Sequence, residues 1–104
     1  MATYRVVPGS LSVTPTKQSY GAGENVEIRI RCQLERKNGL GSFFAWSSHY
    51  KISKTSGELL KTVNKSHSEA PWTDIDTATD DFTENIGPFS EGVLNGVVVV
   101  SASG

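Results

Sequence analysis

The longest regular pattern in the chain is an alternation of apolar and polar residues from Asn25 to Glu35. Its apolar members are Val26, Ile28, Ile30, Cys32 and Leu34, and a polar residue follows each of them. A period of two places these side chains on one face of a β-strand and does not produce an amphipathic helix. We therefore predict a central strand with one buried face, which needs a second sheet to cover it.

Shorter patterns of the same kind lie on both sides of this segment. Two short stretches, 3–7 and 11–14, precede it, and Pro15 closes the second as expected for an edge strand. Further strands are predicted around 43–52, 58–64, 82–86 and 93–102, and no segment has helical periodicity with capping residues. Six or seven short strands separated by turns predict an all-β protein, an immunoglobulin-like antiparallel β-sandwich that forms a single domain over 1–104.

The connection after the central strand contains two conflicting signals. Asn38 and Gly39 ordinarily indicate a tight hairpin, which would place Leu34 opposite Phe43. The stronger apolar set of the next strand is the other one: Phe44, Trp46, Tyr50 and Ile52. A bulge at Gly41 would reconcile the two, but we favour a loop that crosses from one sheet to the other.

The single cysteine, Cys32, excludes an internal disulfide and any zinc site built from several cysteines. It lies on the apolar face of the central strand, so we interpret it as a buried thiol that behaves as a small hydrophobic residue. Trp46 belongs to the apolar set of the following strand. We expect the two residues to pack beside each other in the core.

Charge is divided unevenly along the chain. Residues 1–65 hold all ten Lys and Arg against four acidic residues, a net of +6, and residues 66–104 hold seven acidic residues and no Lys or Arg, a net of −7. One interpretation is that strands from the two halves pair their charges within the molecule. The alternative is one basic and one acidic patch that bring copies together. Neither half interleaves basic and aromatic residues as nucleic-acid surfaces do, so no nucleic-acid partner is expected.

Two features of the segment 65–81 are candidate sites. Asp74, Asp76, Asp80 and Asp81 have the residue type that calcium prefers, but their spacing is not that of an EF-hand loop, so we interpret the segment as a solvated acidic loop. Trp72 stands beside Pro71 in polar surroundings. It is the one candidate for contact with a partner, the alternative being a loop packed over the core.

Catalytic signals are scarce. Ser47, Ser48, His49, His67 and Glu69 include the residue types of a Ser-His-acid set, but nothing in the sequence brings them together and there is no nucleophile elbow. Asn64, Lys65 and Ser66 form a glycosylation sequon, which matters only in an exported protein. We expect no enzyme activity, no catalytic residue, no cofactor and no metal.

The residues 11–15, followed by Tyr20-Gly21-Ala22-Gly23-Glu24 and the alternating strand, resemble the opening of immunoglobulin-like modules of archaeal and bacterial cell-surface proteins, including the adhesion-type modules called CARDB. The spacing of Cys32 and Trp46 also resembles an immunoglobulin core, without its second cysteine. This resemblance implies the sandwich fold and a binding, spacer or adhesion role.

The expected function is therefore a non-catalytic structural or interaction module of a surface-exposed protein, which binds protein or glycan or acts as a spacer. The alternative is a small virion structural or decoration protein that self-associates through sandwich edges, with the valine-rich terminal strand as the contact. The first implies an extracellular or cell-surface location as part of a longer exported protein. The second implies a virion or the cytoplasm. No segment has the apolar length needed for membrane insertion.

Overall fold

A computed structural model describes residues 3–16, 23–37, 45–54, 56–68, 75–87 and 96–103. These residues form seven β-strands and no helix: β1 (Thr3–Val6), β2 (Ser12–Pro15), β3 (Glu27–Lys37), β4 (Trp46–Lys54), β5 (Leu59–His67), β6 (Ile75–Asn85) and β7 (Gly96–Ser103). All strand pairs are antiparallel, and they form two packed sheets. The predicted immunoglobulin-like β-sandwich of six or seven strands is thus confirmed, with seven strands. No helix among the described residues is long and apolar enough to cross a membrane.

The first sheet is built around β3. One edge of β3 pairs with β6 over its whole length, from Glu27 to Lys37. β1 pairs with residues 34–37 of β3 and β2 with residues 28–31, so both lie in line along the other edge. The chain turns between them at Gly9, whose φ of 76° suits glycine. At this break the hydroxyl of Ser10 accepts a hydrogen bond from the backbone N–H of Gln33 at 3.1 Å.

The second sheet has the order β5-β4-β7, so β4 is central and β5 and β7 are edges. The β4–β5 pair shifts register between Ile52 and Ser53, whereas β4 and β7 pair regularly from Ser47 to Lys54. Because β3 and β4 belong to different sheets, their connection crosses the sandwich, as predicted in preference to a hairpin. The valine-rich terminal strand lies at a sheet edge.

The core confirms the alternation found in β3 and β4. The buried apolar side chains are Val26, Ile28, Ile30, Cys32, Leu34, Trp46, Tyr50 and Ile52. The two predicted core residues have different neighbours, however. The Trp46 ring contacts the rings of Tyr4 and His67, at centroid distances of 5.9 and 4.6 Å, whereas Cys32 lies beside Ser10.

The prediction of a solvated acidic loop is wrong from residue 75 onward, because these residues form a strand. β6 begins at Ile75, whereas a strand was predicted only from Phe82. The inner face of β6 carries Asp76, Ala78, Asp80, Phe82 and Glu84, the partly or fully buried positions of the strand. Because three of these five are acidic, the sequence does not look like a half-buried strand.

The two halves of the chain pair their charges within the molecule. Arg29 lies 2.7 Å from Asp81, and Lys61 lies 2.6 Å from Glu84. Arg36 lies 3.3 Å from Asp76. In the described part of the chain, the first interpretation of the uneven charge is therefore confirmed, and these residues do not form two separate patches.

Replacing Trp46 with alanine should lower the free energy of unfolding by about 3–5 kcal/mol, because it removes a large side chain that is 2% exposed. Leu59→Ala is the control, since Leu59 is 53% exposed and should change stability by less than about 0.5 kcal/mol. Denaturant unfolding measures both. If the two variants unfolded at the same denaturant concentration, this would contradict the position of Trp46 in the core.

Candidate functional site

Four polar side chains meet between the two sheets: Ser48 and Tyr50 of β4, His67 of β5 and Asp80 of β6. The hydroxyls of Ser48 and Tyr50 both donate hydrogen bonds to Oδ2 of Asp80. His67 Nε2 lies 3.0 Å from Ser48 Oγ and 3.6 Å from Asp80 Oδ1. We call these four residues the Asp80 network. They link β6 of the first sheet to β4 and β5 of the second.

Strand geometry places each member of this network. Asp80 is directly opposite Cys32 in the β3–β6 register, and residues opposite each other share a face, so its side chain points inward. Ser48 lies between Trp46 and Tyr50 on the inner face of β4. Ser48 and Tyr50 are fully buried and Asp80 is 7% exposed. Buried polar groups without partners would be costly, and the network supplies those partners.

Burial raises the pKa of the Tyr50 hydroxyl far above its ordinary value, and the hydrogen bond and negative charge of Asp80 act in the same direction. Tyr50 therefore remains a proton donor to Asp80 at any ordinary pH.

A second cluster lies along the same strands and includes Arg36, Trp46 and Asp76. The Trp46 indole N–H donates to Oδ2 of Asp76 at 3.1 Å, and Arg36 donates to the same oxygen at 3.3 Å. The Arg36 guanidinium also lies 5.7 Å from the centre of the Trp46 ring. Asp76, like Asp80, therefore joins the first sheet to β4.

The calcium candidates do not converge in the described residues. Asp76 and Asp80 point into the sandwich with the partners given above, whereas Asp81 points outward to Arg29 and Arg31, at 2.7 and 3.5 Å. No group of three His, Cys, Asp or Glu residues in the described part of the chain could hold a metal ion. Asp74 lies outside the described residues, as do Trp72 and Glu69.

Ser48, His67 and Asp80 are the residue types of a catalytic triad, and the sequence did not connect them. A nucleophilic serine donates its proton to a histidine whose other ring nitrogen is held by the acid. Here the single hydroxyl hydrogen of Ser48 goes to Asp80, so His67 must donate to Ser48, and the acid approaches the same ring nitrogen. Ser48 is also fully buried. This geometry joins the sheets and does not prepare a nucleophile.

His49 lies apart from this network on the outer face of the second sheet. Its Nδ1 is 2.7 Å from Oδ1 of Asn64 on β5, and its Nε2 is 2.7 Å from Oγ of Ser103 on β7. Both ring nitrogens thus form hydrogen bonds to residues of neighbouring strands.

Asn64, the asparagine of the predicted sequon, is an exposed residue in the middle of β5.

A surface cavity of about 300 Å³ lies at the break between β1 and β2. It is lined by Ser10, Ser12, Arg31, Cys32, Gln33 and Thr79. Burial raises the pKa of the Cys32 thiol, which keeps it protonated and weakly nucleophilic. This agrees with the interpretation of Cys32 as a buried, unreactive thiol.

The sheet edges differ in how they are protected against strand addition. β2 has only four residues and ends at Pro15, β5 carries lysines at 61 and 65, and β6 carries four acidic residues. β7 has eight residues, with no charge and no proline. Among the described residues it pairs only with β4, and Val99 is 56% exposed. Natural edge strands are usually protected by charge, proline or irregular pairing, so β7 is exceptional.

No protein-family model, curated protein or solved structure matches the chain. The resemblance to cell-surface modules of the CARDB type therefore stays a prediction that rests on the quoted residues.

Ser48→Ala and Tyr50→Phe should each lower the free energy of unfolding by about 1–3 kcal/mol, because each removes a buried donor to Asp80. The two donors share one acceptor oxygen, so the double variant should differ from the sum of the single ones by about 0.5 kcal/mol or more. Denaturant unfolding of all four proteins measures this coupling. If the losses in the free energy of unfolding simply added, this would show that the two hydroxyls do not share Asp80.

The Arg29–Asp81 pair should affect stability at low pH. The hydrogen bond and positive charge of Arg29 hold the pKa of Asp81 below its ordinary value. A lowered folded-state pKa gives stability that is present above the unfolded value, about 3.9, and is lost as pH falls through the folded value. Asp81→Asn should therefore lose less stability than wild type between about pH 5 and pH 2, as measured by thermal unfolding.

Arg29→Ala is the companion variant. It removes the group that lowers the pKa of Asp81, so it should also reduce the loss of stability in acid, and the double variant should behave like either single one. Parallel melting curves for wild type and Asp81→Asn across this pH range would contradict the assignment.

Proposed function

We propose that this protein is a non-catalytic structural or interaction module that binds another protein by accepting a β-strand at the β7 edge. The observation that carries the proposal is the contrast between β7 and the other edges of the sandwich. β7 is long, uncharged and regularly paired to β4. An added strand gains main-chain hydrogen bonds along such an edge, and the side chains at alternate positions give specificity.

The position of the reactive side chains supports a non-catalytic role. Ser48, His67 and Asp80 bond to one another in the interior of the sandwich. On the outer faces, His49 is held by two neighbouring strands, and Asp81 is paired with Arg29. The hydroxyl, imidazole and carboxylate groups of these residues thus form hydrogen bonds or ion pairs within the chain. Among the described strands, β7 pairs with β4 on one side, and we propose its other side as the edge that a partner strand joins.

Strand addition at the β7 edge is compatible with both of the functions predicted from the sequence, a module of a surface-exposed protein and a subunit of a virion. In a surface-exposed protein the added strand would come from a different module or protein. In a particle built from copies it would come from the same chain. The two settings share the mode of binding and differ in the source of the strand.

A peptide with the sequence of Gly96–Ser103, joined to a fluorescent label and a solubilising lysine tail, should bind the folded protein saturably. Fluorescence anisotropy measures the binding. Val99→Lys should weaken it at least about tenfold, because a lysine on an edge strand disfavours pairing. A control peptide in which proline replaces two of the four valines should not bind.

Thr62→Lys is the matched control variant. Thr62 on β5 and Val99 on β7 lie on opposite sides of the same residue, Lys51, so each variant places a new lysine beside it. The control should bind the peptide like wild type. Failure of the wild type to bind, or equal binding by both variants, would overturn the proposal.

A further inference from the structure

Building on the proposed function, we propose that the strand added to β7 is the β7 strand of a second copy, antiparallel to the first about a two-fold axis. The two second sheets then form one continuous six-stranded sheet of order β5-β4-β7-β7-β4-β5. Such an interface is isologous, because the same surface is used by both copies.

The edges that a second copy could offer to β7 differ in charge and length. The β5 edge would bring Lys61 and Lys65, and the β6 edge would bring four acidic residues. The β2 edge is four residues long and ends at Pro15. Among the strands that the structure describes, β7 alone presents a long edge without charge, so it alone pairs with β7 without placing a charge against valine. Charged groups lose hydration when they are buried against apolar neighbours, which disfavours the other combinations.

β2 lies on the same side of the sandwich as β7 and carries exposed apolar side chains. β6 fills one edge of β3, so β1 and β2 lie on the other, and β1 is in contact with β7. Val13 of β2 is opposite Ile30, which is fully buried, and therefore belongs to the inner face of the sheet. Val13 is nevertheless 39% exposed, and the neighbouring Leu11 is 36% exposed. The inner face of the first sheet is thus incompletely covered beside β7.

A two-fold axis at β7 accounts for this uncovered apolar surface. An axis perpendicular to the shared sheet keeps the two first sheets on the same side of it. Their β2 edges then face each other across the axis, and Val13 and Leu11 of each copy gain apolar neighbours. An isolated extended peptide on β7 would supply fewer such neighbours, which favours a second copy as the occupant.

Salt should affect this dimer differently from an assembly held by two charged patches. Arg29, Arg36 and Lys61 already pair with acidic residues of their own chain. The proposed interface consists of main-chain hydrogen bonds and apolar side chains, so screening of surface charge removes little from it. Dimerisation should therefore persist at high salt.

Sedimentation velocity of the full chain over a range of concentrations, at low and high salt, tests the inference. Wild type and Thr62→Lys should form dimers at both salt concentrations. Val99→Lys should raise the dissociation constant of the dimer at least about tenfold, because each copy brings a lysine to the shared edge. Matching melting temperatures for the two lysine variants would show that both are folded.

Hydrogen exchange locates the contact. Amides of residues 96–103 should exchange more slowly as protein concentration rises, whereas those of 59–67, at the opposite edge, should not change. A dimer that Val99→Lys leaves intact, or one without slower exchange at 96–103, overturns the inference. Peptide binding by a protein that stays monomeric overturns the inference and leaves the proposed function standing. A monomer that does not bind the peptide overturns both.

Discussion

The fold depends on the burial of one face of β3. Its inner side chains from Ile28 to Leu34, like Val26 just before the strand, are almost completely buried, which requires a covering sheet as well as strands on both edges. Burial of each large apolar side chain is worth roughly 1.5–3 kcal/mol, so this single strand supplies much of the drive for folding. Arg36 continues the same inner face and is also fully buried. The charge of Arg36 therefore has to be matched from within, and Asp76 lies opposite it on β6.

Polar contacts inside the sandwich fix the register of β6 against its neighbours more than they raise net stability. A buried ion pair often contributes little overall, because both charges lose their hydration. A shift of β6 by two residues would nevertheless remove Asp80 from Tyr50 and Asp76 from Trp46 at the same time. A shift by one residue would turn both carboxylates outward. We interpret Asp76 and Asp80 as the groups that fix β6 against β3 and fix the first sheet against β4.

Apolar periodicity in the sequence reveals some strands of this fold and conceals others. Periodicity was sufficient to predict β3, the core positions of β4 and a connection between them that crosses from one sheet to the other. It failed for β6, where Asp76 and Asp80 occupy inner positions that an apolar pattern would have marked. It also gave no sign that Ser48, His67 and Asp80 meet, because their contact depends on the packing of two sheets. The inward carboxylates were detectable only by reading the polar residues of 75–85 with a period of two.

The buried network and the exposed edge are connected through β4. Ser48 and Tyr50 hold β4 from the inner side, and their neighbours across the strand pair are Ala102 and Val100 of β7. On the outer side His49 bonds to Ser103, the last residue of β7. β7 is thus paired to a strand that is fixed from both faces. An edge held in its extended form loses less conformational entropy when another strand is added. If β7 accepts a strand as proposed, these polar groups contribute to binding indirectly, by keeping β7 in the conformation that an added strand requires.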